Sequence, residues 1–453
     1  MTKGWASSTQ QQYPLLYWTT LAYIVGFPNF VHFDQTGREL NPINLTSVSL
    51  VVQAAITGYV LVVLLLLERR PIAVRKIRFD SGLWIALLLE LILVTALEPA
   101  SRLTPPTTMA LFLSLFRLGQ WVIAFLLIVA LYSRTPPTRA AELVVELIGR
   151  SSWIWVALVW IILPILPAQV YGGSEEDGPG AVGRLGGQLL TPAHVAFLAS
   201  VAFFYALFFF NRGPRKWGSC LFALLTIVLT GARTQQAGFL LALFLFAIVF
   251  SRKPAIRWGM IGATTLALLI GVLFASDVMK YVGRGQNAQT IASLDDRIHV
   301  WEASIEAIRM RPVIGYGYSV GARNAIRDHW RFGHWIPPYA HNEFIQATLD
   351  GGVIALVLLL CIYGHVLWTS IREVSRGPYQ LFLFLLIVQF CVETLTGGEL
   401  GYTFRGPGGG TGGIFILCCV GVLDGAARKD REYRVARQTT SSTLNSSVQG
   451  FSV

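Results

Sequence analysis

The strongest constraint on the fold of this chain is a succession of apolar runs that recur along almost the whole sequence. Many of these runs approach the roughly 20 residues that a helix needs to cross a bilayer. Hydrophobic residues make up 54% of the 453 residues and charged residues only 13%, about half the roughly 25% of an average soluble domain. This balance excludes a soluble enzyme, a disordered chain and a disulfide-stabilised secreted protein. The sequence predicts an all-α, polytopic membrane protein.

Twelve apolar segments are candidate transmembrane helices, near 14–31, 45–67, 82–98, 109–132, 152–170, 190–211, 218–231, 236–250, 257–275, 343–368, 378–395 and 411–426. Residues 1–13 form the N-terminus, and nine of the candidate helices lie within 14–275. A long loop covers 276–342, and three further helices lie within 343–426. The tail, 427–453, is rich in Ser and Thr and is expected to be disordered.

The distribution of positive charge predicts the orientation. Placing the N-terminus in the cytoplasm puts 22 Lys and Arg residues on the cytoplasmic side, against five in the short loops of the opposite side. Cytoplasmic loops carry such an excess in membrane proteins, which predicts that both termini are cytoplasmic. The same bias explains the net charge of +11, so the lipid bilayer is the expected partner and nucleic acid is not.

Three segments on the predicted outer side are polar. Residues 171–188 and 396–413 are rich in glycine, which is typical of flexible loops. The long loop 276–342 contains an amphipathic helix whose apolar residues recur at spacings of three and four, namely Leu294, Ile298, Trp301, Ile305 and Ile308. We expect this helix to lie on the membrane surface or to cover a cavity.

Two ionisable residues fall inside predicted spans. Glu90 and Arg117 lie at similar depth from the outer ends of the third and fourth spans. They can form a structural ion pair that ties two helices together. Alternatively, they mark a substrate path, as charges inside membranes often do, with Arg117 helping to bind an anionic headgroup.

Three further residues have both a structural and a functional interpretation. Arg233 lies in the turn between two short spans, where an arginine often anchors the chain to lipid phosphates. Arg297 begins the amphipathic helix, where it can simply face solvent. His341 precedes a span, and the positive end of the helix dipole there disfavours imidazolium, which leaves the neutral ring that a general base requires. It can also serve only as an interfacial anchor. A metal site formed by His329, His334 and His341 has little support, because no second tight ligand pair accompanies them.

The order of these motifs resembles the bacterial O-antigen ligase and polymerase superfamily of membrane glycosyltransferases. The similar region covers roughly 218–368. Its motifs are the turn Thr230-Gly-Ala-Arg233, the helix Arg297-x-x-x-Trp301 followed by Pro312-Val-Ile-Gly-Tyr-Gly, and then His341-Asn-Glu-Phe-Ile-Gln with two glycines at 351–352. Variants with serine before the first arginine are common in the family, whereas this chain has alanine there.

The resemblance implies the following chemistry. Arg233 and Arg297 bind the diphosphate of an undecaprenyl-diphosphate-linked saccharide, because the planar guanidinium forms paired hydrogen bonds to phosphate oxygens. His341 deprotonates the acceptor hydroxyl, and the reaction inverts the anomeric carbon without a metal or other cofactor. Arg117 and Arg405 are additional candidates for the same anion. The site faces the periplasm or exterior of the bacterial inner membrane.

The acceptor is left open by the sequence. A ligase transfers the glycan to lipid A core, a polymerase extends a polysaccharide, and a third type glycosylates protein hydroxyls. The alternative from another class is a twelve-helix transporter of an anionic solute or lipid-linked saccharide, with Glu90 and Arg117 in its path. The span count favours this transporter alternative, and the lack of an internal repeat counts against it.

Overall fold

The fold is known from a computed structural model of the chain. The residues that it describes are 14–25, 45–67, 81–97, 108–133, 140–172, 183–187, 190–247, 254–255, 258–259, 262, 297–318, 320–332, 337, 339–395 and 415–423. Most of these residues lie in α-helices, which confirms the predicted all-α class.

The helices are numbered here in chain order. They are α1 (Pro14–Val25), α2 (Leu45–Leu67), α3 (Ser81–Leu97), α4 (Thr108–Ser133), α5 (Ala140–Ile162), α6 (Pro167–Val170), α7 (Pro192–Phe209), α8 (Pro214–Thr230), α9 (Arg233–Leu245), α10 (Arg297–Met310), α11 (Val320–His329), α12 (Glu343–Glu373), α13 (Pro378–Glu393) and α14 (415–423). A 3₁₀ turn at Val374–Arg376 joins α12 to α13. Two short strands, β1 (Tyr171–Gly172) and β2 (Arg184–Leu185), pair antiparallel.

Four helical stretches in the described part of the chain are long and apolar enough to cross a membrane. They are Ser114–Leu131, Ala141–Ile162, Pro192–Phe209 and Glu343–Arg376. Shorter apolar helices occur at Ala55–Leu66, Gly82–Leu97 and Pro378–Glu393. Large apolar side chains on several of these helices face outward, including Leu65, Leu89 and Leu97. The chain is therefore a membrane protein, and the number of twelve spans stays a prediction.

The predicted start of the fifth span, at residue 152, is wrong. Helix α5 begins at Ala140, so its first three turns carry Glu142, Glu146 and Arg150. The Arg150 guanidinium pairs with the Glu146 carboxylate one turn earlier at 2.5 Å, and paired charges at this spacing are compatible with a helix. The sequence pattern placed residues 140–151 in a polar loop because hydropathy counts these charges as if they were unpaired.

Helix α7 lies at the centre of the main hydrophobic core. It packs against α8, α5, α9 and α13, and most of its residues are buried. An apolar surface on all sides is what a helix enclosed by other helices requires. A second group of contacts joins α3 to α12 and α4, and α12 to α13. Helix α12 thus connects the core to helices α10 and α11.

Residues 297–318 and 320–332 fold into a helical lobe that contains α10 and α11. Both helices contact α12. The buried face of α10 is formed by small side chains together with one valine, namely Val300, Ala303, Ser304 and Ala307. The predicted apolar stripe lies on another face of α10: Ile298 and Ile305 are exposed, and Leu294 lies outside the described residues. That this stripe lies on the membrane surface or covers a cavity stays a prediction.

The two ends of the glycine-rich segment 171–188 are ordered. Tyr171 pairs with Leu185 and Gly172 with Arg184 in the β1–β2 ribbon. The backbone N–H of Gly186 also donates to the carbonyl of Val170 at 2.8 Å. The expectation of a flexible loop was therefore wrong for these ends, because pairing satisfies their backbone groups. Residues 173–182 of this segment lie outside the description.

Candidate functional site

A break in α12 organises the centre of the candidate site. Gly351 and Gly352 have non-helical backbone angles, with φ of 68° at Gly352. The Val353 N–H donates to the carbonyl of Pro312 at 2.8 Å, a partner outside the helix. The carbonyls of Leu349 and Asp350 at the break also accept hydrogen bonds from donors outside α12.

The segment 312–317 fills this break. The N–H groups of Tyr316 and Gly317 donate to the carbonyls of Leu349 and Asp350 at 2.8 and 2.9 Å. A Cβ at Gly315, whose φ is 64°, would lie 2.6 Å from the Leu349 carbonyl oxygen. The glycines of the motif at 312–317 and the Gly351–Gly352 pair are therefore two halves of one close backbone contact, which only glycine permits.

Helix α3 completes this contact. The Tyr318 N–H donates to the Oγ1 of Thr95 at 2.9 Å. The Glu90 carboxylate, one to two turns earlier on α3, lies directly against Gly351. In the described part of the chain neither Glu90 oxygen has a hydrogen-bond partner. The break in α12 is thus flanked by an intramembrane carboxylate.

The start of α12 is held by a side-chain cap. The Oδ1 of Asn342 accepts from the N–H groups of Phe344 and Ile345 at 3.0 and 3.1 Å, the pattern of an N-cap residue. Its Nδ2 donates to the carbonyl of Leu395 at 3.0 Å. The Glu343 N–H donates to the carbonyl of Thr394 at 3.0 Å. These bonds tie the residue after His341 to the end of α13.

His341 itself is buried and has an unusual backbone conformation. Its exposure is 6%, and its φ is 50°, a region that residues other than glycine rarely adopt. The imidazole packs against the Tyr339 ring, with 4.0 Å between the ring centroids. A strained backbone at a functional site persists only when its surroundings hold it.

Ala340, the residue before His341, is held from both sides. The Ala340 N–H donates to Oε1 of Gln346 at 2.9 Å, and Nε2 of Gln346 donates to Oδ1 of Asp350 at 3.1 Å. The Ala340 carbonyl accepts from Nε1 of Trp301 at 3.0 Å. Ala340, Gln346 and Asp350 are all buried. We call Trp301, Ala340, Gln346 and Asp350 the Ala340 clamp.

The Trp301 bond also orients α10 towards His341. Arg297 is the first residue of α10 and is half-buried. It precedes Trp301 by four residues, so it lies on the same helix face, about 6 Å along the axis. The helix face that carries Arg297 is therefore the one joined to the peptide before His341.

Arg233 lies at the tight turn that joins α8 to α9. Gly231 ends α8 in the left-handed conformation, with φ of 56°, and Arg233 is the first residue of α9. The Thr230 hydroxyl accepts from the Ala232 N–H at 3.3 Å. Ala232, the residue before α9, forms no side-chain cap.

The remaining predicted residues are placed only in part. Arg117 lies within α4, but its side chain is outside the described residues, and Arg405 is outside them altogether. The Glu90–Arg117 pair therefore stays a prediction. The metal interpretation involves His334, which is also not described. The described residues contain no cluster of three His, Cys, Asp or Glu side chains suited to a metal.

Several polar residues of the site were not singled out from the sequence. Gln346 and Asp350 are four residues apart in an otherwise apolar span, and polar residues at such positions are a recognisable signal of function. Thr95 carries no such signal, because its partner Tyr318 is distant in sequence. Burial raises the pKa of Tyr316, whose hydroxyl donates to the Ala307 carbonyl at 2.7 Å, so it remains protonated at neutral pH.

The middle of the chain is similar to known proteins. Residues 218–360 match the family model described as O-Antigen ligase. The exopolysaccharide production protein ExoQ of Rhizobium meliloti is 28% identical over 164 residues, which cover 33% of this chain and 34% of that protein. A Rickettsia felis protein named as a polysaccharide ligase is 23% identical over 177 residues, 37% of this chain and 43% of the relative.

These comparisons confirm the resemblance to the O-antigen ligase superfamily over 218–360. The chain spans less than half the length of the curated relatives that it matches. The matched segment begins in α8 and ends in α12. It therefore contains Arg233, Arg297 and His341, as well as the Ala340 clamp and the break at Gly351.

Proposed function

We propose that this protein is a membrane glycosyltransferase of the O-antigen ligase type. It transfers a glycan from an undecaprenyl-diphosphate carrier to an acceptor hydroxyl outside the cytoplasm, at the bacterial inner membrane, with both termini inside. The observation that carries the proposal is the Ala340 clamp, which joins the helix face of Arg297 to the peptide before His341 through the Trp301 bond. This contact lies within the segment that is similar to O-antigen ligases.

In the proposed reaction His341 accepts the proton of the acceptor hydroxyl. The acceptor oxygen then forms a bond to the anomeric carbon from the face opposite the leaving group. The bond between that carbon and the diphosphate oxygen breaks, and its electron pair leaves with undecaprenyl diphosphate. One such displacement inverts the anomeric configuration. Proton transfer to a positioned base of this kind contributes about 10²–10⁴ to the rate.

The two arginines stabilise the departing diphosphate. Its charge becomes more negative by one unit as the bond breaks, and preorganised donors aimed at developing charge are a major source of catalysis. Guanidinium groups supply this charge without a metal, and Arg233 and Arg297 are the candidates within the matched segment. Arg117 and Arg405 remain proposed additional ligands of the same anion. The acceptor is a polysaccharide, a lipid A core or a protein hydroxyl.

The test is reconstitution of the purified protein with an undecaprenyl-diphosphate-linked oligosaccharide and candidate acceptors. The readout is release of undecaprenyl diphosphate. We expect His341→Ala and Arg297→Ala to abolish it. Two matched controls replace residues of the same types: the exposed His365 on α12, the helix that follows His341, and the exposed Arg309 on α10, the helix of Arg297. His365→Ala and Arg309→Ala are expected to keep the wild-type rate.

The product distinguishes the subtypes. A single transfer indicates a ligase, a ladder of products a polymerase, and modified peptide a protein glycosyltransferase. The transporter alternative gains one observation, because the Glu90 carboxylate lies beside a broken membrane helix at Gly351, an arrangement used by transporters. If the wild-type protein moves the intact lipid-linked saccharide between leaflets and releases no diphosphate, the transporter hypothesis replaces the transferase hypothesis.

A further inference from the structure

Arg184 is held in a fixed position beside the functional turn. It lies in β2, and its backbone pairs with Gly172 of β1. The next residue, Leu185, is fully buried in a cluster with Val159 and Val170. This strand also contacts α8. The backbone of Arg184 is therefore fixed by strand pairing on one side and by a buried neighbour on the other.

The side chain of Arg184 crosses the turn that precedes Arg233. A Cβ added to Gly231 would lie 3.4 Å from Cδ and 3.8 Å from Cγ of Arg184, so the aliphatic stem rests against this glycine. Arg233 follows Gly231 by two residues, which limits the separation of their Cα atoms to about 7 Å. One turn thus carries Arg233 and the aliphatic stem of Arg184, although 49 positions separate the two residues in the sequence.

An anion with several negative oxygens suits a turn that carries two arginines, because its oxygens can accept hydrogen bonds from more than one guanidinium. A diphosphate has two phosphate groups, and a single guanidinium fork can pair with only one of them at a time. A second fork beside Arg233 suits the second phosphate.

We propose that Arg184 binds the diphosphate of the lipid-linked substrate together with Arg233. The inference rests on the proposed function, because it names a further residue for the same substrate. Arg184 binds one phosphate and Arg233 the other, so the site distinguishes a diphosphate from a monophosphate. The β1–β2 ribbon then contributes a phosphate-binding arginine from a segment that precedes the matched region 218–360.

Binding of undecaprenyl diphosphate and undecaprenyl monophosphate to the detergent-solubilised full-length protein tests this. Arg184→Met keeps most of the apolar stem on Gly231 and removes the charge. We expect the Kd for the diphosphate to rise about 10-fold, as for the loss of one charge-assisted hydrogen-bonding partner. The Kd for the monophosphate should rise less than 3-fold. Arg184→Lys should recover part of the affinity, because it restores the charge without the fork.

Arg212→Met is the matched control, since Arg212 is an exposed arginine between α7 and α8, and its affinities should equal those of wild type. An unchanged diphosphate Kd in Arg184→Met, or equal losses for both ligands, overturns the inference. If Arg184→Met does not fold, the Arg184→Lys ratio of the two Kd values decides in the same way. Wild-type protein that binds neither lipid refutes the proposed function itself. Binding that depends on Arg233 but not on Arg184 refutes only the role of Arg184.

Discussion

Substitution of Gln346 by leucine tests whether the Ala340 clamp positions His341. Gln346 accepts from the Ala340 N–H and donates to Asp350, and all three residues are buried. Leucine fills a similar volume but offers no hydrogen bond. The variant leaves the Ala340 N–H without its acceptor and removes a donor from Asp350, and each such buried group costs about 1–3 kcal/mol.

The expected effect divides between stability and catalysis. Stability should fall by about 2–6 kcal/mol, since two buried polar groups each lose a partner. His341 has a φ of 50°, a conformation that costs about 1–3 kcal/mol and needs support from its surroundings. Without the clamp we expect the backbone to relax and the imidazole to move, which should lower kcat about 10–100-fold, as misplacement of a catalytic group does.

The assay measures diphosphate release over a range of donor concentrations and thermal unfolding of the same preparations. We expect kcat to fall while KM for the donor changes little, because Gln346 holds the residue next to the proposed base His341 and is not one of the proposed diphosphate ligands. The control is Gln389→Leu. Gln389 is also a buried glutamine, and in the described residues its amide atoms have no hydrogen-bond partner. It should keep the wild-type kcat and lose no stability, because leucine removes no hydrogen bond there. A normal kcat in Gln346→Leu despite the lost stability would refute a positioning role.

Three other substitutions test the contacts around the site. Gly352→Ala should prevent stable folding, seen as aggregation in size-exclusion chromatography, because its φ is 68° and a Cβ there overlaps the Val313 carbonyl; normal elution would contradict the close contact. Trp301→Phe should lower kcat several-fold in the release assay, since it loses only the bond to Ala340; a wild-type kcat would show that this bond does not matter. Asn342→Ala should lower stability by about 1 kcal/mol, measured by thermal unfolding, through loss of the α12 cap; an unchanged unfolding temperature would exclude capping.

Much of the helical architecture follows from hydropathy alone. The predicted span 45–67 coincides with α2, because no charged residue interrupts this apolar segment. The start of α5 at Ala140 was missed, since the first turns of that helix carry charges that pair only in the folded chain. The buried face of α10 was also missed, because packing of small residues against α11 and α12 cannot be read from one helix.

The candidate functional residues also divide into those that the sequence could select and those that only the structure shows. Arg233, Arg297 and His341 could be selected because the order of their motifs resembles a known superfamily. The clamp residue Gln346 lay within a quoted motif, but its role depends on the Ala340 backbone. Arg184 could not be selected, since its contact with Gly231 joins distant parts of the chain. Contacts of this kind depend on tertiary packing and leave no local sequence pattern.

The most direct test of the account compares undecaprenyl diphosphate release by wild type and by His341→Asn. The assay uses one lipid-linked donor and one acceptor, and donor binding is measured in parallel. We predict release by wild type and a loss of at least about 100-fold in the variant, with donor affinity retained. A variant that releases diphosphate at the wild-type rate would contradict His341 as the base, and with it the proposed transferase mechanism.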